Sequence, residues 1–220
     1  MTAVAPRLYV DSADVDRVAS LLAAGVVHGV TTNPTILERG GRTAAEIPDL
    51  YARWAGEGAG EIFFQTWGGD TASLLRNAEG IRALGDRVVV KVPATRDGFA
   101  AASALVRDGA TVLVTAVYSV AQALACASVG AQYIAPYLGR MRDAGIDGDA
   151  VIATMQEVCG GSESNVLAAS LRSPDDITGL RLAGVPYFTA APDVIEQMLF
   201  HEVSDSSAAE FDAAMARLGA

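Results

Sequence analysis

The sequence predicts a single (β/α)8 barrel, and three observations predict it. Eight short β-rich runs recur along 220 residues, beginning roughly 20–30 residues apart. Stretches rich in Ala, Leu and Arg, with helical spacing, separate them. The runs are apolar on both faces, as parallel strands covered by helices require. Eight such units fit the lower end of barrel sizes. An open doubly wound sheet is the alternative. Against it, no G-x-G-x-x-G follows the first run, and Gly56, Gly58 and Gly60 precede a strand, where they read as a turn.

Taken in order, the runs carry polar residues at their carboxyl ends, where a barrel concentrates its chemistry. RLYVD (7–11) ends on Asp11 and leads into a helix over 14–24. Asp11 is equally suited to cap a helix starting near Ala13. HGVTTN (28–33) ends on Thr31 and Asn33. Asn33 before Pro34 also fits an N-cap with proline at the first helical position. After a helix over 43–57, EIFFQT (61–66) ends on Gln65, which needs hydrogen-bond partners if buried. A helix over 71–84 leads to VVVKVP (88–93) with Lys91, and one over 97–107 leads to ATVLVTAV (110–117) with Thr115. Thr31 and Thr115 also suit ordinary strand positions.

A helix over 119–128 precedes YIAPYL (133–138), where Tyr137 ends the sixth run and Arg140 follows. Tyr137 also reads as a core aromatic with its hydroxyl at the rim. A helix over 149–159 precedes NVLAAS (165–170), ending on Ser170 with Arg172 just beyond. Ser173-Pro174-Asp175 opens a helix to 182. A helix N-terminus beside Arg140 and Arg172 suits a phosphate, through amides and charge together. The alternative is that these arginines pair with Asp175 or Asp176. YFTAAP (187–192) is the eighth run, and Ser204 to Ala220 reads as an extra terminal helix. No linker divides residues 1–220.

Composition bounds the function. The chain is 51% hydrophobic and 19% charged, enough for a sizeable core and unlike a disordered chain. No apolar run reaches about 18 residues, so no membrane span is expected. MTAVAPRLYV has no secretion-signal pattern. Cys126 and Cys159 form neither a disulfide framework nor a metal-ligand spacing, which suggests a reducing, cytoplasmic setting. The net charge of −10 argues against nucleic acid or an anionic membrane as partner. A few local arginines are still sufficient for a phosphorylated small molecule.

Fifteen of the sixteen basic residues are arginine; the only lysine is Lys91, inside an apolar run. Lysine can lose its proton and attack a carbonyl, which arginine cannot. A snorkelling or ion-paired lysine is the bland alternative. His28 lies at the amino end of a strand and His201 near the C-terminus, so neither a histidine triad nor a zinc motif is expected, and no G-x-S-x-G occurs. No cofactor is expected. An amine, carboxylates, a phenol and hydroxyls remain, which suit imine chemistry.

In LYVDSAD, GVTTNPTIL, IFFQ, VVVKVPAT, TAVYSVAQ, YIAPYLGR, VLAASLRS and APDVIEQM, in this order, the chain resembles the transaldolase family. It is most similar to the short subfamily that includes fructose-6-phosphate aldolase. The resemblance implies a Schiff-base lysine at Lys91. It implies a reacting centre lined by Asp11, Thr31, Asn33, Gln65, Thr115 and Tyr137, and a phosphate site at Arg140, Ser170 and Arg172. Transaldolases proper have glutamate at the position of Gln65 and usually phenylalanine at that of Tyr137; here the aldolase pattern stands. Gly139 replaces a usual asparagine, and Trp67 is not typical of the family; both are expected near the mouth of the site. The resemblance also implies a decamer of two five-membered rings, with the terminal helix reaching a neighbour. That helix carries Phe211, Met215 and Leu218 on one side; the same stripe is able to fold back on its own barrel. Three readings follow: an aldolase of fructose 6-phosphate, a transaldolase of sedoheptulose 7-phosphate, and a non-catalytic barrel that binds sugar phosphates.

Overall fold

The computed structural model describes residues 4–219. The first three residues of the N-terminal segment read above, and Ala220, lie outside them. The strands close into one parallel barrel in chain order. The elements are β1 (Arg7–Asp11), α1 (Val15–Ala23), β2 (Gly29–Thr31), α2 (Pro34–Arg39), α3 (Ile47–Gly56), β3 (Glu61–Gln65), α4 (Thr71–Arg82) and β4 (Val88–Pro93). There follow α5 (Arg96–Arg107), β5 (Val112–Val117), α6 (Val120–Ser128), β6 (Tyr133–Pro136), α7 (Leu138–Asp143) and α8 (Gly148–Val158). The last are β7 (Asn165–Leu171), α9 (Pro174–Leu182), β8 (Tyr187–Ala190), α10 (Pro192–Leu199) and α11 (Glu202–Leu218).

The strands are apolar on both faces because each faces a different core. One set of alternate residues fills the barrel: Tyr9, Phe63, Val89, Leu113, Tyr133, Ala135, Leu167 and Tyr187 pack together. The other set, including Val10, Val30, Ile62, Phe64, Val90, Val112, Ile134 and Phe188, packs outward under the helices. A side-chain period of two fixes what comes next on the inner face. Two residues beyond Tyr9 is Asp11, beyond Val89 is Lys91, beyond Leu113 is Thr115, and beyond Ala135 is Tyr137. The register steps them around the rim: Asp11 pairs with Thr31 and Gln65 with Lys91, whereas Thr115 pairs with Pro93, two residues beyond Lys91.

At the opposite end the floor is also polar. The Glu61 carboxylate accepts from Tyr9 Oη at 2.5 Å and Tyr133 Oη at 2.6 Å, with His28 and Arg7 beside it. His28 therefore belongs to the amino-end floor.

Several boundaries differ from the sequence reading. The sixth run stops at Pro136, and Leu138 opens α7. The second run stops at Thr31, because Asn33 turns to cap α2. The helix over 43–57 is a 3-10 turn, Ala44–Glu46, followed by α3. Asp14, not Asp11, caps α1, accepting from the amides of Asp16 and Arg17. That leaves the Asp11 carboxyl for the barrel interior. Among the described residues no helix is long and apolar enough to cross a membrane. The terminal helix does not fold back on the barrel: none of its side chains is buried.

Candidate active site

A cleft of about 330 Å3 opens at the carboxyl ends of the strands. Among its lining residues are Asp11, Asn33, Lys91, Tyr137, Arg140, Ser170 and Arg172. Seven of the ten positions singled out in the sequence thus share one cavity. Two more reach it through hydrogen bonds. Thr31 Oγ1 donates to Asp11 Oδ1 at 2.5 Å, and Thr115 Oγ1 bonds Tyr137 Oη at 2.8 Å. Gln65 ends β3 next to Lys91 on β4 but is not among the cleft-lining residues, and its side chain makes no hydrogen bond among the described residues. A larger depression at the amino end of the barrel, around Gln156, Asn165 and Arg181, holds none of these groups.

Lys91 is 4% exposed and forms no ion pair among the described residues. Burial lowers its pKa from the ordinary 10.5, and the negative charge of Asp11 opposes that fall. Asp11 is pushed the other way: burial raises its pKa, against the pull of Lys91 and the Thr31 hydroxyl. Both groups are driven toward their neutral forms. Thr31 has one proton and gives it to Asp11, so the 2.6 Å contact with Thr189 Oγ1 makes Thr189 the donor. A relay of two hydroxyls thus fixes the carboxyl.

Tyr137 is held from three sides. Thr115 bonds its hydroxyl, the Arg140 guanidinium lies 5.0 Å from its ring centre, and Tyr118 packs against it edge-on. Burial, first, raises the phenol's pKa, which keeps its proton in place near neutrality. Asn33 caps α2 as the Asn-Pro pair predicts, and it also lines the cleft. Its Oδ1 accepts from the Ile36 amide at 3.0 Å, which leaves its NH2 available to the cleft that it lines.

The strand ends here are irregular. The β5–β6 register shifts between Thr115 and Val117, where Ala116 has φ 59°, and the β7–β8 register shifts between Ala168 and Leu171, where Ser170 has φ 57°. A side chain in this left-handed region costs of order 1–3 kcal/mol, a strain that clusters at functional sites.

The anion side departs from expectation. Ser173 caps α9, and Asp176 Oδ2 accepts from the two amides just before the helix, Arg172 N at 2.7 Å and Ser173 N at 3.2 Å. Asp176 also pairs with Arg142 at 2.7 Å. Arg172 pairs with neither Asp175 nor Asp176 through its side chain. Its fork grips Asp143, Nη1–Oδ1 at 2.8 Å and Nη2–Oδ2 at 2.5 Å. Gly139 lies at this point. A Cβ there would sit 2.7 Å from Arg172 Nε and 2.7 Å from the Ser170 carbonyl oxygen. Trp67, in contrast, is not at the mouth. It is 45% exposed, against α3 and α4 beside Ile47 and Asn77.

Sequence reasoning missed four polar residues of the cleft, Thr35, Arg39, Asp143 and Thr189. Thr189 had a signal, a hydroxyl on the inner face of an apolar run. Arg39 and Asp143 end helices too short to show periodicity.

The comparisons agree with this architecture. The family described as Transaldolase/Fructose-6-phosphate aldolase matches residues 8–220. A "Probable transaldolase" of Hyphomonas neptunium is 36% identical over 208 residues, covering 93% of this chain and 94% of that protein. Another, from Cereibacter sphaeroides, is 34% identical over 219 residues, covering 97% of each. Among solved structures, a thiamine phosphate pyrophosphorylase of Pyrococcus furiosus superposes with a TM-score of 0.59 at 17% identity, covering 84% of this chain and 85% of that one, a likeness of fold alone. A match over nearly the whole length, in a barrel with one buried amine at its mouth, makes this chain a member of the transaldolase/fructose-6-phosphate aldolase family.

Proposed function

We propose that the protein is a Schiff-base aldolase that cleaves or forms fructose 6-phosphate from dihydroxyacetone and glyceraldehyde 3-phosphate. The observation that carries this reading is Lys91: the only lysine, buried, without an ion pair among the described residues, and open to a cleft with a carboxyl beside it. An ordinary lysine, with a pKa near 10.4, is only about 0.04% neutral at pH 7. Each unit by which burial lowers that value multiplies the reactive fraction by about ten.

Neutral Lys91 Nζ attacks the ketose carbonyl, and loss of water gives an iminium ion. Asp11, steered by Thr31, accepts the proton of the hydroxyl on the fourth carbon as the bond between the third and fourth carbons breaks. The electron pair flows into the iminium, the aldehyde phosphate departs, and an enamine of dihydroxyacetone remains. Protonation and hydrolysis of the enamine complete an aldol cleavage; attack on an acceptor aldehyde completes a transaldol transfer. Tyr137, neutral and bonded to Thr115, is the acid for the first fate. Gln65 stands beside Lys91 to position the hydrolytic water. Arg140 and Ser170 take the phosphate of the aldehyde, and Arg172 joins them by exchanging Asp143 for that phosphate. Asn33 donates its NH2 to a substrate hydroxyl.

A transaldolase of sedoheptulose 7-phosphate is the second reading, favoured by the names of the relatives. Tyr137, able to supply the proton that hydrolysis needs, favours cleavage. We further place the terminal helix against a second copy of the chain, since its apolar side chains have no cover of their own.

Borohydride trapping tests the core claim without ambiguity, because no other lysine competes. Reduction in the presence of dihydroxyacetone adds one adduct, at Lys91, and Lys91→Met removes both adduct and turnover. An unmodified intact mass refutes the imine. Free dihydroxyacetone released from fructose 6-phosphate without any acceptor supports the aldolase; release that waits for an acceptor supports the transaldolase.

A further inference from the structure

Three guanidiniums line the Lys91 cleft, those of Arg39, Arg140 and Arg172. Arg172 is already answered by Asp143, which takes both arms of its fork. The Asp176 carboxylate takes the Arg172 and Ser173 amides, just before α9. Arg140 and Arg39 differ: among the described residues neither guanidinium makes a hydrogen bond or an ion pair. Arg140 rests on the Tyr137 ring, and Arg39 ends α2, exposed at the rim. α2 follows β2 and α7 follows β6, four strands apart in a ring of eight, so the two approach the mouth from opposite sides.

We infer that Arg39 is a substrate-binding residue, closing on the anionic group of the ligand from the side opposite Arg140. With Arg172 balanced by Asp143, these two supply the net charge of the rim, two positive against the two negative of a phosphate. A guanidinium fork suits phosphate oxygens in particular. The cleft, about 330 Å3, sits at the small end of ligand sites, so one sugar phosphate fills it and meets both arginines. The inference rests on the sugar-phosphate reading above and extends it to a residue on an element remote in sequence from Arg140, Ser170 and Arg172.

Calorimetric titration with glycerol 3-phosphate, which has no carbonyl and cannot react, reads the contact directly. Arg39→Ala weakens binding tenfold or more, Arg39→Lys restores part of it, and Arg39→Glu abolishes it. In turnover, Arg39→Ala raises KM for glyceraldehyde 3-phosphate at least tenfold more than KM for glyceraldehyde, with the effect in KM rather than kcat. Binding of glycerol 3-phosphate to Arg39→Glu as tight as to the unaltered protein overturns the inference, and so does a failure of the unaltered protein to bind it. Borohydride trapping with dihydroxyacetone, which carries no phosphate, separates the two claims. A failed trap with Arg39-dependent phosphate binding removes the imine and keeps Arg39; a successful trap with Arg39-independent binding does the reverse.

Discussion

At the scale of the residue, one buried amine faces one buried acid, and each sets the other's proton. Burial lowers the pKa of Lys91 and the charge of Asp11 raises it. The amine attacks only when neutral, so trapping of dihydroxyacetone rises with pH through a midpoint below 10.5. Removing the Asp11 charge removes the upward pull. In Asp11→Asn the midpoint of the rising limb therefore moves to lower pH, measured as the initial rate of borohydride adduct formation rather than as turnover. A midpoint that stays or climbs shows that Asp11 does not act on Lys91 through its charge. In turnover to free dihydroxyacetone, where Tyr137 is the acid, the falling limb starts above the ordinary 10.0 of tyrosine, since burial raises the Tyr137 pKa. Much of this was legible in the sequence. A lone lysine in an apolar run, and polar groups at successive strand ends, assemble because a side-chain period of two projects them all into one barrel. The Thr189–Thr31–Asp11 relay was not legible, since it depends on β8 closing against β1.

At the scale of the element, the junction of α7 with β7 decides how the anion side is built. Gly139 has no Cβ, and that absence lets the Arg172 side chain cross α7 to reach Asp143 one turn on. Ser170 presses on the same point with a strained backbone. Gly139→Asn forces Arg172, the Ser170 backbone or α7 itself to move, at a cost of about 1–3 kcal/mol of stability, as other overpacked sites pay. The expected outcome is a lower urea midpoint together with a raised KM for glyceraldehyde 3-phosphate; an unchanged KM would show that the Arg172–Asp143 geometry plays no part in binding. The sequence reading flagged Gly139 as unusual but missed α7, and with it Asp143. Six residues make fewer than two turns, too short for hydrophobic periodicity to register. α2 was hidden by the same brevity, and only the Asn33-Pro34 signature marked its start. Trp67 was misplaced for a related reason: after β3 the chain turns out toward α4, where Asn77 Nδ2 donates to its carbonyl oxygen.

At the scale of the whole molecule, the barrel is self-contained and α11 is not. Its seventeen residues extend about 25 Å at the usual helical rise. None is buried, and Phe211, Met215 and Leu218 are 68%, 52% and 80% exposed on one side. Most helical stability in proteins comes from packing an amphipathic face, so the exposed stripe of α11 calls for a surface to pack on. The chain's own barrel does not offer it, although the sequence left that option open. A second copy is the partner proposed above, and neighbouring Phe200 and Val203, 67% and 63% exposed, extend the apolar surface. Ending the chain after Leu199 removes the helix but no residue of the closed sheet or the cleft. The truncated chain is therefore expected to melt cooperatively with barrel-like circular dichroism, yet to scatter light as a single chain where the full-length protein scatters as an assembly. A full-length protein that is a single chain at micromolar concentration would leave the stripe without a partner copy. A truncated chain that keeps the assembled mass would move the interface from α11 to the barrel wall.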